Sequence, residues 1–182
     1  MILRGKKVIL REKRLGDAAQ DYAWRTDEEL ARLDANLPLK TRFDDFKEFY
    51  AEELEYPTPH RCRFAVDDLT GKHIGNCMYY GMDKSNGQVE VGIMIGDKAY
   101  WGRGYGADAV MTLLDYLFTE EKMKRVYLHT LEWNERAQRS FEKCGFVACD
   151  RVKRDRHTFI VMEIFRKQWE TRQNNPALSG AE

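Results

Sequence analysis

Two periods run through the apolar and polar positions of this chain. Short alternating runs predict strands at Lys7 to Glu12, Cys62 to Val66, His73 to Tyr80, Gln88 to Ile95, Arg125 to Thr130, Phe146 to Asp150 and Phe159 to Phe165. Asp67–Asp68–Leu69–Thr70–Gly71 and Ser85–Asn86–Gly87 are turn signals, so the middle of the chain reads as an antiparallel meander. The helical period governs Asp17 to Arg25, Phe43 to Glu55, Gly104 to Thr119 and Asn134 to Lys143. Asn36 to Pro38 separates the first two helices, Asp44 is the expected cap of the second, and Gly145 closes the fourth. In Gly104 to Thr119 the apolar positions Ala107, Val110, Met111, Leu114, Leu117 and Phe118 form one continuous stripe, with Asp108, Asp115 and Glu120 off it. The order is β-α-α-β-β-β-α-β-α-β-β, without internal repeats. It predicts one domain over 1–172, with a polar, flexible tail over 173–182.

Composition narrows the class. The chain has 182 residues, 43% apolar and 33% charged, with 30 basic and 30 acidic side chains. A zero formal net charge argues against a nucleic-acid binder held by phosphate contacts. The four cysteines (Cys62, Cys77, Cys144, Cys149) form no C-x-x-C pair, and the four histidines have no metal-ligand spacing. No metal site is expected. With no signal-peptide pattern and no membrane-length apolar run, the expectation is a cytoplasmic protein with reduced thiols and no membrane partner. Charge is nevertheless uneven. Leu15 to Tyr56 holds twelve acids against five bases, whereas bases exceed acids from Lys122 to Arg172. A cationic partner suits the first region and an anionic one the second, although solvated helix faces account for most such runs.

The segment Trp101-Gly102-Arg103-Gly104-Tyr105-Gly106-Ala107 joins the meander to the most periodic helix. Glycines let a ligand approach the backbone. The free N–H groups of a helix's first turn, with its dipole, favour a phosphate or pyrophosphate. The Walker A pattern is absent, and the glycine spacing is wrong for a dinucleotide-binding fingerprint.

This segment resembles the pyrophosphate motif of the GNAT-superfamily N-acetyltransferases, Q/R-x-x-G-x-G/A, with Gly104 and Gly106 in its small positions. Trp101 stands where Gln or Arg is usual, as in the branch of ribosomal-protein N-terminal and spermidine acetyltransferases. Asn134-Glu135-Arg136-Ala137-Gln138-Arg139-Ser140-Phe141-Glu142-Lys143-Cys144-Gly145-Phe146 resembles the family's N-x-x-A-x-x-x-Y-E-K-x-G-F helix and turn. The resemblance spans roughly residues 7 to 166. It implies an α+β (mixed α/β) GNAT-like fold. About seven strands form a central, mostly antiparallel twisted sheet, flanked by about four helices and splayed between the fourth and fifth predicted strands. It also implies acetyl-CoA as co-substrate. Backbone groups of Met94, Ile95 and Gly96 would hold the pantetheine arm, and Trp101, Gly102, Arg103, Gly104, Tyr105, Gly106 and Ala107 the pyrophosphate. Asn134, Ala137, Phe141 and Lys143 would face the cofactor from the other side. Dimers are frequent among similar proteins.

Acetyl transfer to an amine needs a neutral nitrogen, so a base must take a proton from an ammonium of pKa ~10.4. Glu90 is the leading candidate, since relatives use a glutamate on this strand. Glu132 and His129 are the runners-up. Phe141 departs from the family's tyrosine and has no hydroxyl to protonate the departing thiolate. Ser140, Tyr105 or Tyr127 are substitutes between which the sequence does not choose. The expected function is transfer of acetyl from acetyl-CoA to a primary amine by direct attack in a ternary complex. The acceptor is a small cationic amine such as a polyamine or aminoglycoside, an amino acid or a protein N-terminus. A non-catalytic acyl-CoA sensor is the alternative.

Overall fold

The structure, a computed structural model, describes residues 1–175. Eight strands form one sheet: β1 (Ile2–Arg4), β2 (Val8–Glu12), β3 (Cys62–Asp68), β4 (His73–Asp83), β5 (Gln88–Ile95), β6 (Arg125–Leu131), β7 (Val147–Arg154) and β8 (His157–Phe165). Their order is β1-β2-β3-β4-β5-β6-β8-β7. All neighbours are antiparallel except β5 and β6, which pair in parallel at Gln88–Arg125, Val89–Val126 and Glu90–Tyr127 alone. Beyond Glu90 the two strands separate, and the gap between them positions the site.

Six helices pack on this sheet: α1 (Ala18–Thr26), α2 (Glu28–Leu33), α3 (Phe43–Glu55), α4 (Tyr105–Thr119), α5 (Glu135–Lys143) and α6 (Arg166–Asn174). The predicted strands and the four predicted helices are all present. β1, α2 and α6 are additional. β1 is three residues long and α2 six, too short for a period to register. α2 starts at Asp27, whose carboxylate accepts from the Leu30 N–H at 2.9 Å. Asp44 is not the cap of α3: Arg42 holds that position and Asp44 lies in the first turn. α6 carries the chain through Gln173 and Asn174, where a flexible tail was expected. It docks by Trp169, which packs on Phe118 and donates its indole N–H to Asp115 at 3.0 Å. The rest of the expected tail, 176–182, lies outside the described residues.

The core lies between the sheet and α4. Val8, Leu10, Phe64, Val66, Ile74 and Val89 from the sheet meet Ala109, Val110, Leu113, Leu114, Leu117 and Phe118. The helix buries more than the predicted stripe, Ala109 and Leu113 included, while Ala107 and Met111 are only half-buried. The start of α4 is fixed by Asp108, whose carboxylate accepts from the backbone N–H groups of Lys6, Lys7 and Val8 at 3.1, 2.7 and 3.1 Å. Gly5 is required there, because a Cβ would collide with Asp108 and Thr112. No described helix is long and apolar enough to cross a membrane.

Candidate active site

The loop before α4 turns on two glycines with positive φ, Gly102 at 69° and Gly104 at 82°, a region that L side chains enter at a cost. Gly104 is the N-cap of α4 and supplies no side chain to it. The N–H groups of Tyr105, Gly106 and Ala107 therefore have no protein acceptor among the described residues, while the Asp108 N–H returns to the Gly104 carbonyl at 3.0 Å. Asp108 turns its carboxylate to the β1–β2 turn, away from these amides. They open onto a cleft of about 400 Å³ between β5 and α5. Ile93, Met94 and Ile95 form one wall of the cleft, Asn134, Ala137, Ser140 and Phe141 the other, and Asp34 stands at its mouth.

Cations surround the cleft. Lys7 donates to the Arg103 carbonyl at 2.9 Å and lies over the Tyr105 ring, and Arg136, Arg139 and Lys143 line the α5 side. The Arg136 guanidinium stacks 3.9 Å from the centroid of Trp101. The Trp101 indole N–H donates to the Ile95 carbonyl at 2.6 Å, tying the glycine loop to the end of β5. Uncapped amides, an adjacent glycine cradle and basic side chains are the donor set that a nucleotide pyrophosphate requires.

At the base of the splay, Glu90 receives two donors on one oxygen: the Tyr80 hydroxyl at 2.7 Å and His129 Nδ1 at 2.6 Å. Arg154 approaches His129 Nε2 at 2.9 Å. An arginine only donates, so Nε2 accepts and the Nδ1–H donates to Glu90. Burial, then the bond to Glu90, pushes the Tyr80 phenol well above its ordinary value, so it stays protonated.

Tyr80 also lines a second cavity of about 600 Å³, shared with Asp21, Arg25, Asp34, Phe46, Glu53, Arg61, Arg63, Asn76, Met78 and Gly92. Ile93 and Met94 line both cavities, so the two meet at the splayed strand. The acids of the second cavity are largely engaged. Asp21 Oδ1 accepts from His73 and Asn76 at 3.1 and 2.9 Å, and Oδ2 binds Lys13 at 2.5 Å and the Tyr50 hydroxyl at 2.9 Å. Burial alone would raise the Asp21 pKa, but His73, Lys13 and Asn76 outweigh it and hold the carboxyl far below the usual range. Glu53 meets Arg61 at 3.2 Å through one oxygen and Arg63 through the other.

The Acetyltransferase (GNAT) domain model matches residues 7–147, three quarters of the chain. The chain belongs to the GNAT acetyltransferase family. Among curated relatives, spermidine N(1)-acetyltransferase of Vibrio cholerae is 29% identical over 105 residues, 58% of this chain and 59% of the relative. An uncharacterized N-acetyltransferase, p20, of Bacillus licheniformis is 37% identical over 57 residues, 31% of this chain and 32% of the relative. These matches span from about a third to three fifths of the relatives' lengths. A longer match, 27% identical over 92% of this chain and 86% of the relative, is to human alpha/beta-tubulin-N-acetyltransferase 9. The fold is that of spermidine N-acetyltransferase from Vibrio cholerae, solved with CoA and spermine: TM-score 0.78 and 22% identity, covering 90% of this chain and 98% of that one.

Within this GNAT frame, most residues singled out in the sequence converge. Met94, Ile95, Trp101, Gly102, Gly104, Tyr105, Gly106, Ala107, Asn134, Ala137, Phe141 and Lys143 all line the cleft. Arg103 and Gly96 do not. Arg103 turns its guanidinium to the Ala99 carbonyl. Gly96 donates its N–H to the Ile74 carbonyl at 3.0 Å and lies against Trp24, so that amide is unavailable to a ligand. The Ile95 carbonyl is likewise occupied by Trp101. Glu90 lines neither cavity and touches the second only through Tyr80. Of the runners-up, Glu132 is tied to Arg151 at 2.6 Å. Ser140 lines the cleft beside Phe141, and Tyr105 meets Tyr100 edge to face at 4.8 Å. Sequence reasoning did not single out Tyr80, Arg136 or Arg154. Arg136 alone carried a signal, its place inside the Asn134-to-Phe146 segment. The other two lie on distant strands that only pairing brings to the site.

Proposed function

We propose that this protein is an acetyl-CoA-dependent N-acetyltransferase acting on a primary amine. The observation that carries the reading is the uncapped start of α4 opening into a cleft that runs along the unpaired edge of β5. A thioester bound there would have its pyrophosphate on the amides of Tyr105 to Ala107 and its arm beside Met94. The acyl group would then lie where the cleft meets the second cavity.

Glu90 is the base in this reading, acting through Tyr80. The Tyr80 oxygen accepts a proton from the acceptor ammonium and its own proton passes to Glu90, a transfer for which the 2.7 Å bond is already formed. His129 holds Glu90 in place, and Arg154 holds the histidine in its Nδ1–H form. The freed nitrogen lone pair forms the N–C bond to the acetyl carbon. The C–S bond breaks with its electron pair on sulfur, and the second proton on nitrogen, made acidic by the new N–C bond, is lost to solvent in the cavity. Phe141 packs against Phe146 at the cleft and offers no proton, so the thiolate departs as such. Its conjugate acid, with a pKa near ~8.5, makes it a tolerable leaving group.

Polyamines are the acceptors that the names of the relatives bring to the test. A screen for free-thiol release from acetyl-CoA, with spermidine, spermine, amino acids, aminoglycosides and peptide N-termini as acceptors, decides whether the protein is catalytic. Binding of CoA without thiol release for any amine would favour an acyl-CoA sensor. No binding of CoA at all would overturn the cleft assignment.

A further inference from the structure

The second cavity differs in charge from the expectation set by the acidic segment Leu15 to Tyr56. Most of that segment's acids never reach it. Asp44, Asp45, Glu48, Glu52 and Glu55 are exposed on α3, Asp17 is bound by Arg11, and Asp27 and Glu29 by Lys98. Of the three carboxylates that line the cavity, Asp21 and Glu53 have both oxygens engaged. Asp34 is half open to solvent at the mouth, 3.8 Å from Arg25. Against them stand three guanidiniums, Arg25, Arg61 and Arg63.

Arg61 and Arg63 share the single carboxylate of Glu53, and a guanidinium has five N–H donors, so most of theirs remain free. Arg63 is also held over the Tyr50 ring, 5.8 Å from its centroid. In the sheet Arg63 pairs with Met78, and Met78 with Gly92. Arg63 therefore sits in the cross-strand row of the splayed strand, about 10 Å from Gly92 at two strand spacings. A polyamine, with ammonium groups along its length, would need open carboxylates in this space and would meet a surplus of arginine.

We infer that the acceptor is a primary amine that also carries a carboxylate, of amino-acid or short-peptide size, and that Arg61 and Arg63 bind the carboxylate. The inference rests on the acetyltransferase reading and names its acceptor class. The amine sits at the Tyr80 end of the cavity and the carboxylate at the β3 end, which orients the nucleophile toward Met94.

The test compares amines that differ only in the carboxylate: lysine with cadaverine, ornithine with putrescine, and alanyl-glycine with its C-terminal amide, with spermidine alongside. The carboxylate-bearing member of at least one pair is expected to have a kcat/KM about tenfold or more above its partner and above spermidine, mainly through KM. Arg63→Met and Arg61→Met should each lower that ratio about tenfold, and Arg63→Lys should restore part of it. Preference for spermidine or the decarboxylated amines, or a ratio indifferent to both arginine variants, overturns the inference. If no amine is acetylated, the acetyltransferase reading falls by itself. Calorimetric binding of the same pairs to the CoA complex then decides the acceptor class: Arg63-dependent preference for the carboxylate retains it, and its absence overturns it.

Discussion

Gly106, second in α4, is where one side chain separates fold from ligand. A Cβ there would meet only Ile95, at an ordinary 3.5 Å, so the position tolerates alanine. Gly106→Ala is expected to leave the fold intact, or to stabilise it by about 0.5–1 kcal/mol through reduced unfolded-state freedom. Gly106→Glu should fold equally well but abolish binding of CoA, because a carboxylate enters the proposed anion site. Thermal melts and calorimetric titration with CoA separate the two effects, and tight binding by Gly106→Glu would contradict the assignment of the α4 amides. Gly104 is less informative, since any side chain at φ 82° is strained regardless of ligand. For Glu90, replacement by Gln keeps the size and removes the proposed base. Turnover should drop about 100-fold or more with CoA affinity unchanged, and Tyr80→Phe should show a similar loss. Wild-type turnover in Glu90→Gln would show that the proton leaves by another route.

Between elements, the joint between α4 and the β1–β2 turn depends on one carboxylate. Three backbone N–H groups converge on Asp108, and nothing else among the described bonds gives those of Lys6 and Lys7 an acceptor. Asp108→Ala should cost about 2–3 kcal/mol, read as a lower urea midpoint at unchanged slope. Because the same joint sets the direction of the α4 amides, CoA affinity should fall as well. The Trp101 latch is a second joint of this kind. Its indole reaches the Ile95 carbonyl, so the residue that departs from the usual Gln or Arg links the glycine loop to β5 directly. α4 was legible because a buried stripe writes itself into sequence, whereas α5, with Phe141 alone buried, was legible through its motif. α2 and β1 were not: they are held by a cap and by a neighbouring strand, and neither leaves a period.

For the molecule as a whole, buried charge sets the response to acid. Asp21 and Asp17 are held below the usual carboxylate range by their partners despite burial, and Asp68 and Asp83 are drawn down to about 2 by hydrogen bonds. A depressed carboxyl contributes stability above its unfolded pKa of ~3.9 and loses it as the pH falls through the folded value. The thermal midpoint should therefore be level near neutrality and fall steeply from about pH 4 toward pH 2. Asp21→Asn strands the buried Lys13 ammonium. It should destabilise the protein at neutral pH by about 3–5 kcal/mol and flatten the acid limb. A midpoint independent of pH over that range would contradict the network.

By itself, the amino-acid sequence determined the family, the order of the main elements and the glycine-rich, uncapped start of α4. Those features rest on local causes: glycine conformations, helical periodicity and the free amides of a first turn. The tertiary structure decided what surrounds them. Tyr80, Glu90, His129 and Arg154 come from four strands that pairing brings together, and Lys13, Asp21, His73 and Asn76 come from the loop after β2, from α1 and from β4, which meet only when the helix packs on the sheet. It also reversed the charge that the acidic segment led one to expect of the second cavity. An acidic segment ends beside a cavity with arginine to spare, because a carboxylate acts on a ligand only through the oxygens that folding leaves free.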